Sequence, residues 1–155
     1  MHLARDKFST LEGLAPVDPT LIVSDATRAT AGVLLVTIVL IETGGLYLLS
    51  IVGGRVERTP FQLAFARAGH AHAGVLVTLA LVSQLFADAV VLDGPVAWLA
   101  RTGIAGAAIL MPAGFFLSSM ARGATRPNRL ISLVYAGAVL LGLCAASLGI
   151  ALLTS

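Results

Sequence analysis

Charge is what this sequence most lacks. Of its 155 residues only 12% are Asp, Glu, Lys or Arg, against about 25% in an ordinary soluble domain. Ten basic residues balance eight acidic ones for a net charge of +2, and the basic residues gather on no single helix, so a nucleic-acid surface is excluded. Cysteine is nearly absent: Cys144 stands alone, which rules out an intrachain disulfide and a thiolate zinc site. Lysine occurs once, at Lys7, so nine of the ten basic residues are arginine. With abundant Ala, Gly, Leu and Val, this is the bias of high-GC coding and points to a bacterial source. The first 26 residues lack the apolar core and small-residue cleavage site of a signal peptide. They read as a retained tail over 1–27, in which Leu3, Phe8, Leu11 and Leu14 allow a short surface helix or a loosely ordered arm.

What the chain has in excess is apolar residues, 57% of the total. A bilayer core needs about 20 of them per helix, and four stretches qualify: 28–52, 61–87, 96–120 and 130–153. Local signals mark their ends. Asp25 can cap the first span. Thr59-Pro60-Phe61-Gln62 reads as a capping box with proline in the first turn. Gly53-Gly54 and Gly123 suit helix C-termini, Asp93-Gly94-Pro95 suits a tight turn, and Asn128 suits a cap for the fourth span. Loops of about eight or nine residues favour antiparallel neighbours. The expected fold is all-α: an integral-membrane, up-down-up-down four-helix bundle over 28–155.

Arginines set the expected orientation. Arg55 and Arg58 lie in the first loop and Arg122, Arg126 and Arg129 in the third, whereas the second carries Asp88 and Asp93 and no basic residue. The positive-inside rule then puts loops one and three in the cytoplasm of a bacterial cell and both termini outside. Small residues four apart, Gly69/Ala73, Gly103/Ala107, Ala138/Gly142 and Ala145/Gly149, offer places for close helix packing. Pro112 is expected to kink the third span near Met111.

Ionisable residues inside these spans demand explanation, because a charge at mid-bilayer costs about 2.5 to 3.5 kcal/mol on insertion scales. From a rise of 1.5 Å per residue, Glu42 lies roughly 15 Å in from the first-loop end, His70 and His72 roughly 13 to 17 Å, and Arg67 roughly 9 Å. They form one layer, in which contacts from Glu42 to Arg67 or His70 are expected. Arg101 sits nearer the other face and can snorkel there. On the second helix Arg67, His70, Gly74, Gln84 and Asp88 share a stripe. His72 points about 200° from His70, so the pair cannot chelate one metal from a regular helix.

Three readings of this layer compete. In the first, Glu42, Arg67 and His70 form a structural network locking two helices. In the second, His70 and His72 bind haem or copper, iron or zinc, with Glu42 ligating or orienting a histidine and Met111 or Tyr135 assisting. In the third, an oligomer forms a proton or small-molecule pathway through Glu42 and a histidine. A membrane-embedded hydrolase has least support, for want of a nucleophile motif or a repeated His/Glu pattern.

The run Phe65-Ala66-Arg67-Ala68-Gly69-His70-Ala71-His72-Ala73-Gly74-Val75-Leu76 resembles the His-x-His segment of small four-helix bacterial membrane proteins. These are in turn reminiscent of a haem-ligating helix in subunit I of the haem-copper oxidases. The resemblance covers about twelve residues and implies that His70 or His72 is an axial haem ligand or a copper ligand. The chain departs from that family in offering only His2 as a further histidine. A full haem-copper centre is therefore excluded within one chain. A six-coordinate haem would need Met111, His2, histidines from two subunits or an exogenous ligand. The expected role is haem or metal binding in redox chemistry or sensing, as a homo-oligomer or a subunit of a larger membrane complex. The alternative is a proton-coupled transporter or channel.

Overall fold

A computed structural model describes residues 23–90, 92 and 94–155, and among them every regular element is helical. The helices are α1 (Asp25–Val52), α2 (Pro60–Asp88), α3 (Gly94–Ser118) and α4 (Ser132–Thr154), with a 3₁₀ turn over Arg129–Ile131 leading into the last. Each is long and apolar enough to cross a bilayer. The four agree with the expected spans to within a few residues. The proposed tail helix and His2 lie outside the described residues, as does Asp93 of the expected turn.

Local chemistry explains the ends. Thr59 and Gln62 form the expected capping box: Gln62 N–H donates to the Thr59 hydroxyl and Thr59 N–H to Gln62 Oε1, both at 3.1 Å. Asn128 caps the 3₁₀ turn through Leu130 N–H at 2.8 Å. Gly53 closes α1 by donating to the Leu49 carbonyl at 2.9 Å, and Gly54 then turns the chain at φ 72°, a conformation that glycine adopts without strain. The cap of α1 is Ser24 and not Asp25: the Ser24 hydroxyl accepts from Thr27 N–H. Asp25 falls in the first turn, where its carboxylate pairs with Arg28 and favours the positive end of the helix dipole.

The bundle is antiparallel and assembled in chain order, α1 on α2, α2 on α3 and α3 on α4, while α1 and α4 stay largely apart. All four helices contribute to the core: Leu34 from α1, Leu76, Val77 and Ala80 from α2, Ile104, Ala108 and Met111 from α3, and Cys144 from α4. Large apolar side chains such as Val36, Val75, Ile109 and Leu143 point outward, as suits a protein whose surroundings are hydrocarbon.

Close approach depends on glycine. A Cβ on Gly69 of α2 would come within 2.9 Å of the Phe116 ring of α3. Gly103 of α3 receives Cys144, Gly114 receives Val134, and Gly137 of α4 receives Met111. Gly69, Gly103 and Ala107 thus lie at interfaces as expected. The two α4 pairs do not: Ala138, Gly142 and Ala145 are exposed, and a Cβ at Gly142 or Gly149 would meet nothing within 4 Å. The buried stripe of α4 runs through Gly137, Cys144 and Leu148, one residue out of register with those pairs. A helix so uniformly small and apolar carries no pattern that would distinguish the two stripes.

Candidate functional site

Polar side chains occupy three levels of the bundle. At the end where α2 turns into α3, Asp88 and Arg101 form an ion pair at 2.7 Å. The Asp88 carboxylate also accepts from Ser24 N–H at 3.0 Å and the Ser24 hydroxyl at 2.9 Å. Arg101 donates further to Thr27 Oγ1 at 3.2 Å and the Ala87 carbonyl at 3.1 Å, and Gln84 Nε2 donates to the Arg101 carbonyl at 2.7 Å. One carboxylate thereby joins α1, α2 and α3. Arg101 rises toward the helix end, as snorkelling predicts, but finishes on a protein partner.

The opposite end has its own clasp. Besides closing the capping box, Gln62 donates through Nε2 to the carbonyls of Ser119 at 2.9 Å and Ala121 at 3.0 Å. Thr59 Oγ1 donates to the Ala124 carbonyl at 2.5 Å. The box that starts α2 also ties it to the connection between α3 and α4, where Asn128 returns bonds to Leu117 and Ser118.

Between these clasps lies the layer that the sequence singled out. His70 enters the seam between α1 and α2, with its ring against the open sides of Gly44 and Gly45: a Cβ on either glycine would sit 3.5 Å from it. No hydrogen bond joins the His70 ring to the described residues. His72 faces the other way, toward α3, where its ring lies 4.9 Å from that of Phe115. Its Nδ1 is 2.7 Å from the Ala68 carbonyl, one turn earlier. Because a carbonyl only accepts, Nδ1 carries the proton, and in the neutral tautomer this leaves the lone pair on Nε2. The two imidazoles lie on opposite sides of α2, as their spacing requires.

Glu42 and Arg67 do not join the layer as expected. Both are exposed, and among the described residues the ion pairs are Arg28–Asp25 and Arg101–Asp88. The Glu42–Arg67 and Glu42–His70 contacts are therefore absent, and the helical turn gives the reason. At 100° per residue, Glu42 points about 110° away from the direction midway between Gly44 and Gly45. The α2 stripe is about 100° wide, and its edges have opposite fates: Gln84 is buried, whereas Arg67 is at the surface. Glu42 stands two turns from Leu35 and Arg67 five turns from Leu85, which line opposite walls of an outward-facing furrow between α1 and α2. By helical register each charge falls on the same side of its helix as its wall residue.

Met111 is buried in the core and packs against Gly137 of α4. Tyr135 is exposed on the surface of α4. Among the described residues no group of three or more His, Cys, Asp or Glu side chains converges to hold a metal ion. The arrangement can supply single imidazole donors to a group seated beside α2.

Sequence reasoning missed the roles of Ser24 and Asp88, and of Gln62 it found the capping box but not the bonds to the α3–α4 connection. Asp88 had a usable signal: it ends α2 and Arg101 lies seven residues into α3, about 10 Å by helical rise and within reach of an extended arginine. The partners of Gln62 are backbone carbonyls, which no residue pattern reveals. No protein family, curated protein or solved structure matches the chain.

Proposed function

We propose that this protein is a multi-pass membrane subunit that holds a haem or a transition metal on His72, in a redox or sensing role. The orientation of His72 carries the reading. Its Nδ1–H is committed to the Ala68 carbonyl at 2.7 Å, the outer-shell arrangement that fixes the ring of a metal-ligating histidine and frees Nε2 to coordinate. Phe65 and Phe115, in edge contact at 5.5 Å, and the ring of Phe115 beside His72 supply the apolar surroundings that suit a porphyrin. The two end clasps support the reading indirectly. Asp88–Arg101 and Thr59–Gln62 already hold the helices together, so the mid-membrane imidazoles are not needed for that. Such a group, when bound, would supply one-electron chemistry or a gas-binding position. The chain supplies one oriented imidazole. Any further ligand would come from His2, from an equivalent His72 of another copy, from a partner subunit or from an exogenous molecule, because Met111 is turned into the core.

The deciding experiment is an absorption spectrum with metal analysis, on protein purified from membranes of a haem-sufficient host in mild detergent. A Soret band or near-stoichiometric metal that His72→Ala removes and His70→Ala retains is the expected result. A colourless, metal-free preparation rejects the reading, and loss caused only by His70→Ala reassigns the ligand.

A second reading is favoured by Glu42 and Arg67, which stand exposed on the furrow sides of α1 and α2 by helical register and without partners among the described residues. An oligomer packed across that furrow would bring these charges and His70 to one seam and enclose a proton or small-molecule path. Abolition of pH-dependent flux in proteoliposomes by Glu42→Gln, with the fold intact, would support it. Under either reading, the arginine-rich loops of α1–α2 and α3–α4 face the cytoplasm.

A further inference from the structure

The end of the bundle that carries the α1–α2 and α3–α4 connections holds two adjoining cavities that share Arg58 and Gln62. One is polar and opens among the loops, bordered by Arg58, Arg122 and Glu57. The other, of about 280 Å³, runs into the bundle between α1, α2 and α3 and is walled by Ile51, Ala66, Phe116 and Met120. Basic at its mouth and apolar behind, the combined slot lies at the level where a bilayer passes from headgroup to acyl chain.

Arg58 is held for such a task. Its Nε and one terminal nitrogen donate to the Tyr47 hydroxyl at 3.0 and 2.9 Å, and the other terminal nitrogen donates to the Glu57 carbonyl at 3.2 Å. Those bonds use three of the five N–H groups of a guanidinium. Two remain for an outside acceptor, on a group whose orientation Tyr47 has already fixed. Arg122 lines the same mouth from the α3–α4 connection, so two cations approach from different loops. Two guanidinium groups against the one carboxylate of Glu57 favour an anion, and a guanidinium fork suits a phosphate oxygen pair.

We propose that this slot binds an anionic phospholipid, with its phosphodiester between Arg58 and Arg122 and the upper part of one acyl chain against Ile51, Ala66 and Phe116. Basic pockets between membrane helices take anionic headgroups in this way. The bound lipid joins two connections that, among the described residues, are hydrogen-bonded to each other through Thr59 and Gln62. The proposal rests on the membrane-spanning fold and is independent of any group on His72.

Native mass spectrometry of the detergent-solubilised full chain tests it, by titration with phosphatidylglycerol, phosphatidylcholine and inorganic phosphate in parallel. Phosphatidylglycerol should be retained in preference to phosphatidylcholine, and inorganic phosphate should not displace it at equal concentration. Arg58→Gln with Arg122→Gln should weaken retention by about tenfold. Arg55→Gln with Arg126→Gln, which removes as much charge from residues that do not line the slot, should leave it unchanged. Ala66→Leu fills the apolar part without altering charge and should weaken retention on its own, with thermal stability confirming that each variant folds. Equal loss in the two arginine pairs would mean diffuse attraction to a basic surface and would overturn the proposal. Indifference to the headgroup, or equal competition by free phosphate, would overturn it also.

Discussion

Asp88, the last residue of α2, and Arg101, two turns into α3, meet at 2.7 Å, with 14% and 28% of their side-chain surfaces left accessible. Each is also bonded to α1, Asp88 through Ser24 and Arg101 through Thr27. The pair is therefore a three-helix junction and not a surface ion pair. In a bundle whose apolar faces gain little from packing against one another rather than against lipid, such a junction carries more of the association than it would in water.

Removing one partner leaves the other charge partly buried and several donors unsatisfied. Asp88→Asn should therefore lower stability by about 2 to 3 kcal/mol, and Arg101→Leu by a similar amount. The double variant should recover part of the loss, with a coupling energy above about 1 kcal/mol. Unfolding in detergent measures all three. Additive losses would mean that the two side chains act separately.

At the other end, Gln62→Glu separates the two roles of this residue. A carboxylate still accepts from Thr59 N–H, so the capping box persists, but it cannot donate to the Ser119 and Ala121 carbonyls that Gln62 Nε2 now bonds. The variant should lose about 1 to 3 kcal/mol, the cost of leaving the buried Ser119 carbonyl and the part-buried Ala121 carbonyl unmatched, whereas Glu57→Gln on the exposed loop should change little. Equal behaviour of the two would show that the cross-loop bonds contribute nothing.

How much of this was legible in the sequence depends on whether the signal was local. The four spans follow from apolar length, and the Thr59–Gln62 box and Asn128 cap follow from short-range chemistry that the chain writes in order. The opposed directions of His70 and His72 follow from helical geometry alone. Glu42 was misread because depth was considered without angle: a shared level does not bring side chains together when one points out of the seam. Arg101 rises toward the helix end as its position predicts, but its partner sits on another helix, and only the helical rise on either side of the α2–α3 turn signals that pair. The α4 stripe was illegible because Ala, Gly, Leu and Cys follow one another there, and the isolated Ser147, whose hydroxyl bonds back to the Leu143 carbonyl, is too little to mark a face.

His70 offers a sharper contrast than simple deletion. A Cβ on Gly44 or Gly45 would lie 3.5 Å from its ring, an ordinary contact, whereas one on Gly69 would come within 2.9 Å of Phe116. Gly45→Ala should therefore be tolerated and Gly69→Ala should destabilise by about 1 to 3 kcal/mol, the usual cost of overpacking. Gly45→Leu should displace the imidazole from the seam. If His70 serves a proton path, that variant stops flux while Gly45→Ala does not, and the two compared in proteoliposomes separate space from chemistry.

The α3–α4 interface permits the cleanest test of close packing. A Cβ at Gly103 would collide with the Cys144 thiol, which is fully buried. The thiol cannot swing into lipid without leaving the core, so Gly103→Ala must push the helices apart, at a cost of about 1 to 3 kcal/mol. Cys144→Ala alone removes one buried sulfur and should cost less than that. In the double variant the new methyl takes the space the thiol vacated and meets only the remaining Cβ of residue 144, at 3.1 Å, so most of the loss should be recovered. Unfolding of the four proteins in one detergent measures the cycle. A double variant as unstable as the sum of the singles would show that α3 and α4 are not held at the distance this pair of residues sets.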